Sequence, residues 1–147
     1  MSQPPVRAEV IAQLVLLRDD RVLLCSRRGA PRYFLPGGAV GPGETVEDAL
    51  RRRTSAQTGL TVSHFDLVGC LEHTERRDRE QVHQVTMVFA APLPWAAQIV
   101  SNDPELRLTS LELASLTDVE LHPAHLTGLL TRWADDHRPR WHGQAAS

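Results

Sequence analysis

The stretch from residue 29 to residue 43 most constrains what this chain can become. It holds five glycines and three prolines, a density of backbone breakers that predicts a loop without regular structure. The segments on either side carry clear periodicity. Upstream, EVIAQLVLLRDDRVLLCSRR reads as two apolar strands joined by the polar turn Arg18-Asp19-Asp20-Arg21, a hairpin. Downstream, Thr45 opens a helix in which Asp48, three residues on, completes the form of a capping box, and Gly59 closes it. The chain is therefore expected to run hairpin, glycine-rich loop, helix.

The remainder fits one mixed α/β domain. HFDLVGCLEH and QVHQVTMVFAAPL read as strands flanking the charged tip TERRDRE, and LRLTSLEL as a short strand followed by a helical turn. Leu126, Leu129, Leu130 and Trp133 fall at helical spacing behind Pro123, which predicts a last helix over about 123–136. A single domain is expected over residues 1–147, with its core over about 6–136 and a loose tail over 137–147. Central strands with a helix before the last strands and another after them predict a mixed sheet sandwiched between helices.

Charge and composition then narrow the chemistry. The formal net charge of -2 argues against a nucleic-acid or anionic-membrane binder. All sixteen cations are arginine, so lysine Schiff bases, a lysine general base and a P-loop lysine are excluded. Arginine is left as the permanently charged clamp for an anion. Cys25 and Cys70 sit in apolar runs and read as buried free thiols. The N-terminus has no basic-then-apolar signal pattern, and no apolar run approaches membrane-spanning length, so a cytoplasmic location is expected.

The segment 37-GGAVGPGETVEDALRRRTSAQTGL-60 resembles the Nudix superfamily signature G-x5-E-x7-R-E-U-x-E-E-x-G-U, where U is a bulky aliphatic residue. Gly38, Glu44, Arg52, Gly59 and Leu60 stand at the matching positions. The leading RVLLCSRRGAPRYFLPGGAV and the closing strand and helix are also similar to the family. The resemblance implies a Nudix fold, and hydrolysis of nucleoside-diphosphate-type substrates through Mg²⁺ or Mn²⁺ held by glutamates on one helix face. Those glutamate positions are here Arg53, Ala56 and Gln57, and the aliphatic position is Thr54. A hard divalent cation wants oxygen anions, so no metal is expected there, and Mg²⁺ or Mn²⁺ only if a displaced site exists.

The candidate site residues are Glu44 as a catalytic carboxylate and Gly37, Gly38, Arg52, Arg53 and Gln57 as ligand-binding groups. Glu44 has a structural alternative, since a carboxylate at a helix start interacts favourably with the dipole. Glu72, His73, Glu75 and His83 could form a zinc site if His73 and His83 approach across the second hairpin. His122 and His125 read as capping or exposed side chains, and Asp103 or Glu105 could supply a loop base. Three functions stay open: a module binding an anionic, nucleotide-like ligand; an altered hydrolase or metal-free catalyst; and a scaffold, as a homodimer or with a protein partner.

Overall fold

The computed structural model describes residues 6–94 and 99–143. Strand β1 (Val6–Arg18) turns through Asp19 and Asp20 into β2 (Arg21–Arg27), pairing Leu17 with Val22 and Arg18 with Arg21, the hairpin expected. Strands β3 (Tyr33–Phe34) and β4 (Gly37–Ala39) follow, then α1 (Val46–Thr58). A long second hairpin is built from β5 (Asp66–Arg77) and β6 (Glu80–Pro92). Strand β7 (Leu106–Glu112), a 3-10 turn (Leu113–Asp118), β8 (Leu121–His122), α2 (Leu126–Asp136) and β9 (Arg140–His142) complete the described chain. The sheet order is β8-β3-β2-β1-β6-β5-β9, with β4 also paired to β1 and β7 to β2. The sheet is mixed: β1 runs parallel to β6, while β5 and β6 are antiparallel.

Both faces of β1 are covered, which explains its nearly continuous apolar run. Leu14 and Leu16 point with Leu23, Leu50 and Leu60 into the layer beneath α1. Val15 points the other way, into a core with Val88, Leu129, Leu130 and Trp133 beneath α2. The expected sandwich is thus present. Leu50 is fully buried, so truncating it to Ala costs about 2–5 kcal/mol.

The caps follow the sequence closely. Thr45 Oγ1 accepts from the Asp48 amide at 3.1 Å, and Gly59 ends α1 at φ 75°. Two expectations are corrected. The loop over 29–43 contains β3 and β4, and β4 pairs Gly37, Gly38 and Ala39 with Gln13, Ala12 and Ile11. A Cβ on Gly37 would lie 2.0 Å from the Ala12 carbonyl oxygen, so this close approach of two backbones requires glycine. The tail is not loose throughout: Arg140, Trp141 and His142 pair in parallel with Gly69, Cys70 and Leu71. Gly69 permits that approach, because a Cβ there would meet the Arg140 carbonyl oxygen at 2.3 Å. Residues 144–147 lie outside the described residues.

Candidate functional site

The face of α1 turned toward β4 is set by helical spacing. Leu50, Thr54 and Thr58 are buried against the sheet, and Arg53 and Gln57, one position before Thr54 and Thr58, form a half-buried stripe beside them. Gln57 is fully engaged. Its Oε1 accepts from the Gly37 amide at 2.7 Å and its Nε2 donates to the Gly37 carbonyl at 3.1 Å. The carboxamide therefore braces the glycine strand to the helix.

Arg53 lies against the next residue of that strand. A Cβ on Gly38 would meet Arg53 Nε at 3.0 Å and its Cδ and Cζ at 3.1 Å. Its Nη2 reaches the Ala39 carbonyl at 3.5 Å, while its Nε is buried with no hydrogen-bond partner. Arg53 thus pairs with neither Glu44 nor Glu47, although it lies near enough to Glu44 to lower that carboxyl.

Glu44 belongs to Arg52. Arg52 Nε and Nη2 donate to Glu44 Oε2 and Oε1 at 2.8 and 2.9 Å, a bidentate pair, and the Gly41 amide donates to Oε1 at 2.9 Å. The Arg52 hydrogen bonds first, then the Gly41 amide, bring the Glu44 carboxyl down to about 2. A carboxylate that acidic is a weak general base at neutral pH, so the geometry favours the structural role weighed for it from sequence. The helix-face donor set is then one guanidinium, one methyl group and one carboxamide already committed to backbone.

The histidine cluster does not form as a zinc site. His73 opposes Gln84 and His83 opposes Thr74, so the two imidazoles point to opposite faces of the hairpin. His83 Nε2 lies 3.4 Å from Glu72 and His73 Nε2 lies 3.7 Å from Glu75. Among the described residues, no three His, Cys, Asp or Glu side chains come together to hold a metal ion. Asp103 accepts from Arg27 at 3.1 Å and from the Glu105 amide at 3.0 Å, and the amide followed by Arg27 lowers its carboxyl. It is committed to Arg27 at the end of β2 and to its own loop. Cys25 is buried, and burial pushes its thiol up to about 12; Cys70 is only half-buried, and both are free. No helix among the described residues is long and apolar enough to cross a membrane.

Sequence reasoning missed a second feature of the glycine strand. A cavity of about 200 Å³ is walled by Gly37 and Gly38, by Gln13 of β1, Thr86 of β6, and His122. Gln13 follows the alternation of Val15, so this cavity lies on the α2 side of the sheet. His122 stands edge-on to His73, with ring centroids 6.1 Å apart, and Arg32 Nη1 lies 3.2 Å from its Nδ1. Burial, then Arg32 and His73, lower the His122 pKa, so the ring is neutral at pH 7. The legible signal was a glutamine at an inward position of an apolar strand. A larger cleft of about 470 Å³ at the β1–β2 turn, lined by Asp19, Arg21 and Glu112, involves no residue of α1 or β4.

The NUDIX domain model matches residues 8–139. The chain is 35% identical over 78 residues to the ADP-ribose pyrophosphatase of Methanocaldococcus jannaschii, covering 51% of this chain and 45% of that protein. It is 31% identical over 75 residues to a MutT-like protein of Streptomyces ambofaciens, covering 51% and 49%. The chain thus matches about half the length of these relatives. A MutT NUDIX hydrolase from Burkholderia pseudomallei superposes with TM-score 0.69 at 25% identity, covering 82% of this chain and 95% of that one. The NUDIX domain of Shewanella oneidensis NrtR, crystallised with ADP ribose, shares the fold with TM-score 0.64 at 20% identity, covering 88% and 87%. The fold, the spacing of Gly38, Glu44, Arg52 and Gly59, and a family match running through nearly the whole chain agree: this protein belongs to the NUDIX family.

Proposed function

We propose that this chain binds an anionic, nucleotide-like small molecule at the face of α1 turned toward the glycine strand and that the family's usual metal-dependent diphosphate hydrolysis is lost or altered. The carrying observation is Arg53, whose guanidinium lies against Gly38 with a buried, unpartnered Nε. A buried N–H of a permanent cation without an acceptor is costly, and a phosphate or carboxylate oxygen is the acceptor a guanidinium fits best.

The family implies Mg²⁺ or Mn²⁺, and the donor set on α1 does not fit either. Arg53 repels a cation, Ala56 offers no ligand atom, and both polar ends of Gln57 are used by Gly37. Glu44, the remaining box carboxylate, is held by Arg52 and Gly41. In this reading a metal-borne hydrolytic step has no seat on α1, and the anion is neutralised by arginine instead. ADP-ribose and nucleoside diphosphates are the first ligands to examine, since the M. jannaschii relative is named an ADP-ribose pyrophosphatase.

The test is calorimetric titration of ADP-ribose and of ADP into the protein and into Arg53→Ala. The substitution should weaken the tighter ligand by about 1.5–3 kcal/mol, the scale of a hydrogen bond to a charged group. Unchanged affinity would remove Arg53 from the ligand site. Metal-free acid–base catalysis at the same face of α1 is the alternative reading, but nothing among the described residues singles out a base.

A further inference from the structure

Strand β9 is a three-residue strap along the edge of β5, and none of its residues is fully buried. Trp141, the largest of them, is 62% exposed. The strap is held by its ladder to Gly69, Cys70 and Leu71, by Arg140, whose Nη1 donates to Asp136 Oδ1 at 3.0 Å, and by His142. A segment with so little burial opens locally at low cost, so one side chain can decide whether it stays docked.

His142 is that side chain. It pairs with Leu71, a member of the core beneath α2, and turns the same way, so that its ring lies 4.3 Å from that of His125 at a tilt of 32°. Its Nε2 is buried with no hydrogen-bond partner. His125 is the N-cap of α2, at the positive end of the helix dipole. Burial first, then His125 and Arg132 of α2, lower the His142 pKa. On β5 the next side chain along that face after Leu71 is His73, whose Nε2 is 3.7 Å from Glu75. Arg140 is paired with Asp136, and His137, in the turn before β9, stacks on Trp133 with ring centroids 4.3 Å apart. Among the described residues, no carboxylate acts on His142 to hold a proton there.

We infer that His142 and His125 form an acid-sensitive clasp: the neutral His142 ring packs on His125 and keeps β9 on the sheet, and uptake of a proton by His142 lifts β9 from β5. A proton on Nε2 would lie buried without an acceptor, facing an imidazole, a guanidinium and a helix N-terminus. Undocking returns the ring to water and bares the β5 edge over 69–71. The released ring titrates at its ordinary 6.5 and the docked ring below it, so docking is at full strength above pH 6.5 and weakens as pH falls below that value. The Asp136 carboxyl is held below its ordinary value, chiefly by Arg140, so that ion pair persists through the window. The clasp needs no ligand and is independent of the anion site.

The test is amide hydrogen exchange on the full chain between about pH 7.5 and 5.5, the range in which histidine titrates. After correction for intrinsic rates, protection of the amides in 69–71 and 140–142 should fall about 3- to 10-fold, while the β1–β6 ladder keeps its protection. His142→Phe keeps a planar ring that cannot titrate, so the dependence on pH should vanish. His125→Phe leaves β9 itself unchanged and should weaken the dependence, which keeps the test decisive if His142→Phe fails to dock. The His142 imidazole resonances of the parent should titrate with a midpoint below 6.5. Equal protection at both ends of the range, a loss spread evenly over the sheet, an undiminished pH dependence in both variants, or a His142 midpoint at or above 6.5 would each overturn the clasp.

Discussion

The Gln57 carboxamide offers a sharp energetic test, because its whole contribution can be read from two distances. It accepts from the Gly37 amide at 2.7 Å and donates to the Gly37 carbonyl at 3.1 Å. Each neutral hydrogen bond contributes a net of about 0.5–1.5 kcal/mol, so Gln57→Ala removes about 1–3 kcal/mol. Gly37 is buried, which favours the upper half of that range, since water cannot readily take over the released groups. The better helix propensity of Ala returns only a few tenths of a kcal/mol. In a chain of this size the net loss corresponds to a melting-temperature drop of about 3–9 °C, measurable by scanning calorimetry and independently as a lower urea midpoint with unchanged slope. Gln57→Glu should lose stability too, because it keeps the acceptor for the Gly37 amide but sets a charge against the Gly37 carbonyl. A Gln57→Ala protein melting within about 1 °C of the parent would refute the claim that this side chain braces the glycine strand.

Adjacent glycines should respond in opposite ways. Gly37→Ala places a Cβ 2.0 Å from the Ala12 oxygen at φ 134° and should cost at least about 2 kcal/mol. The three atoms nearest a Cβ on Gly38 all belong to the flexible Arg53 side chain, so in Gly38→Ala the melting temperature should fall much less while ADP-ribose affinity drops as the guanidinium is pushed aside. Acid titration gives a third outcome. The Glu44 carboxyl goes from an ordinary 4.5 to about 2 on folding, chiefly through Arg52, so its contribution is fully present above about pH 4.5 and is lost as pH falls toward 2. Glu9, Asp103 and Asp136 are lowered as well; the urea midpoint should decline across that window, and Glu44→Gln should show a shallower decline. Finally, Arg53→Glu, Ala56→Glu and Gln57→Glu combined should create Mg²⁺ binding detectable by calorimetry, since three carboxylates would then stand at i, i+3 and i+4 on one face of α1.

The architecture was legible wherever local chemistry decided it. Thr45 and Gly59 are strong helix punctuation, Arg18 to Arg21 is a polar break between apolar runs, and Leu126 to Trp133 carries its own period. The glycine strand was not legible, because β4 owes its conformation to a partner. Residues with no side chain give no period, and only the approach of Ala12 to Gly37 shows why glycine is needed there. The pairing of Arg140–His142 with β5 was hidden for the same reason, being a contact between segments far apart in sequence. In the candidate site, the spacing brought out Glu44, Arg52, Arg53 and Gln57, and Arg52 does hold Glu44. The Gln57 bond to Gly37, and the cavity that Gln13 faces across the strand, emerge only when α1, β1 and β4 are stacked.

The central claim is that arginine stands where the family places a cation. The direct measurement is ligand affinity, by calorimetry with ADP-ribose, in a chelator and again in excess Mn²⁺, together with a titration of Mn²⁺ into the protein alone. With arginine in the cation's place, affinity should be the same in both conditions and Mn²⁺ should not bind at Gln57 and Glu44. Tight binding that appears only with Mn²⁺, accompanied by an ordered ion touching Glu44 and Gln57 in crystals, would contradict it and restore the metal-dependent hydrolase.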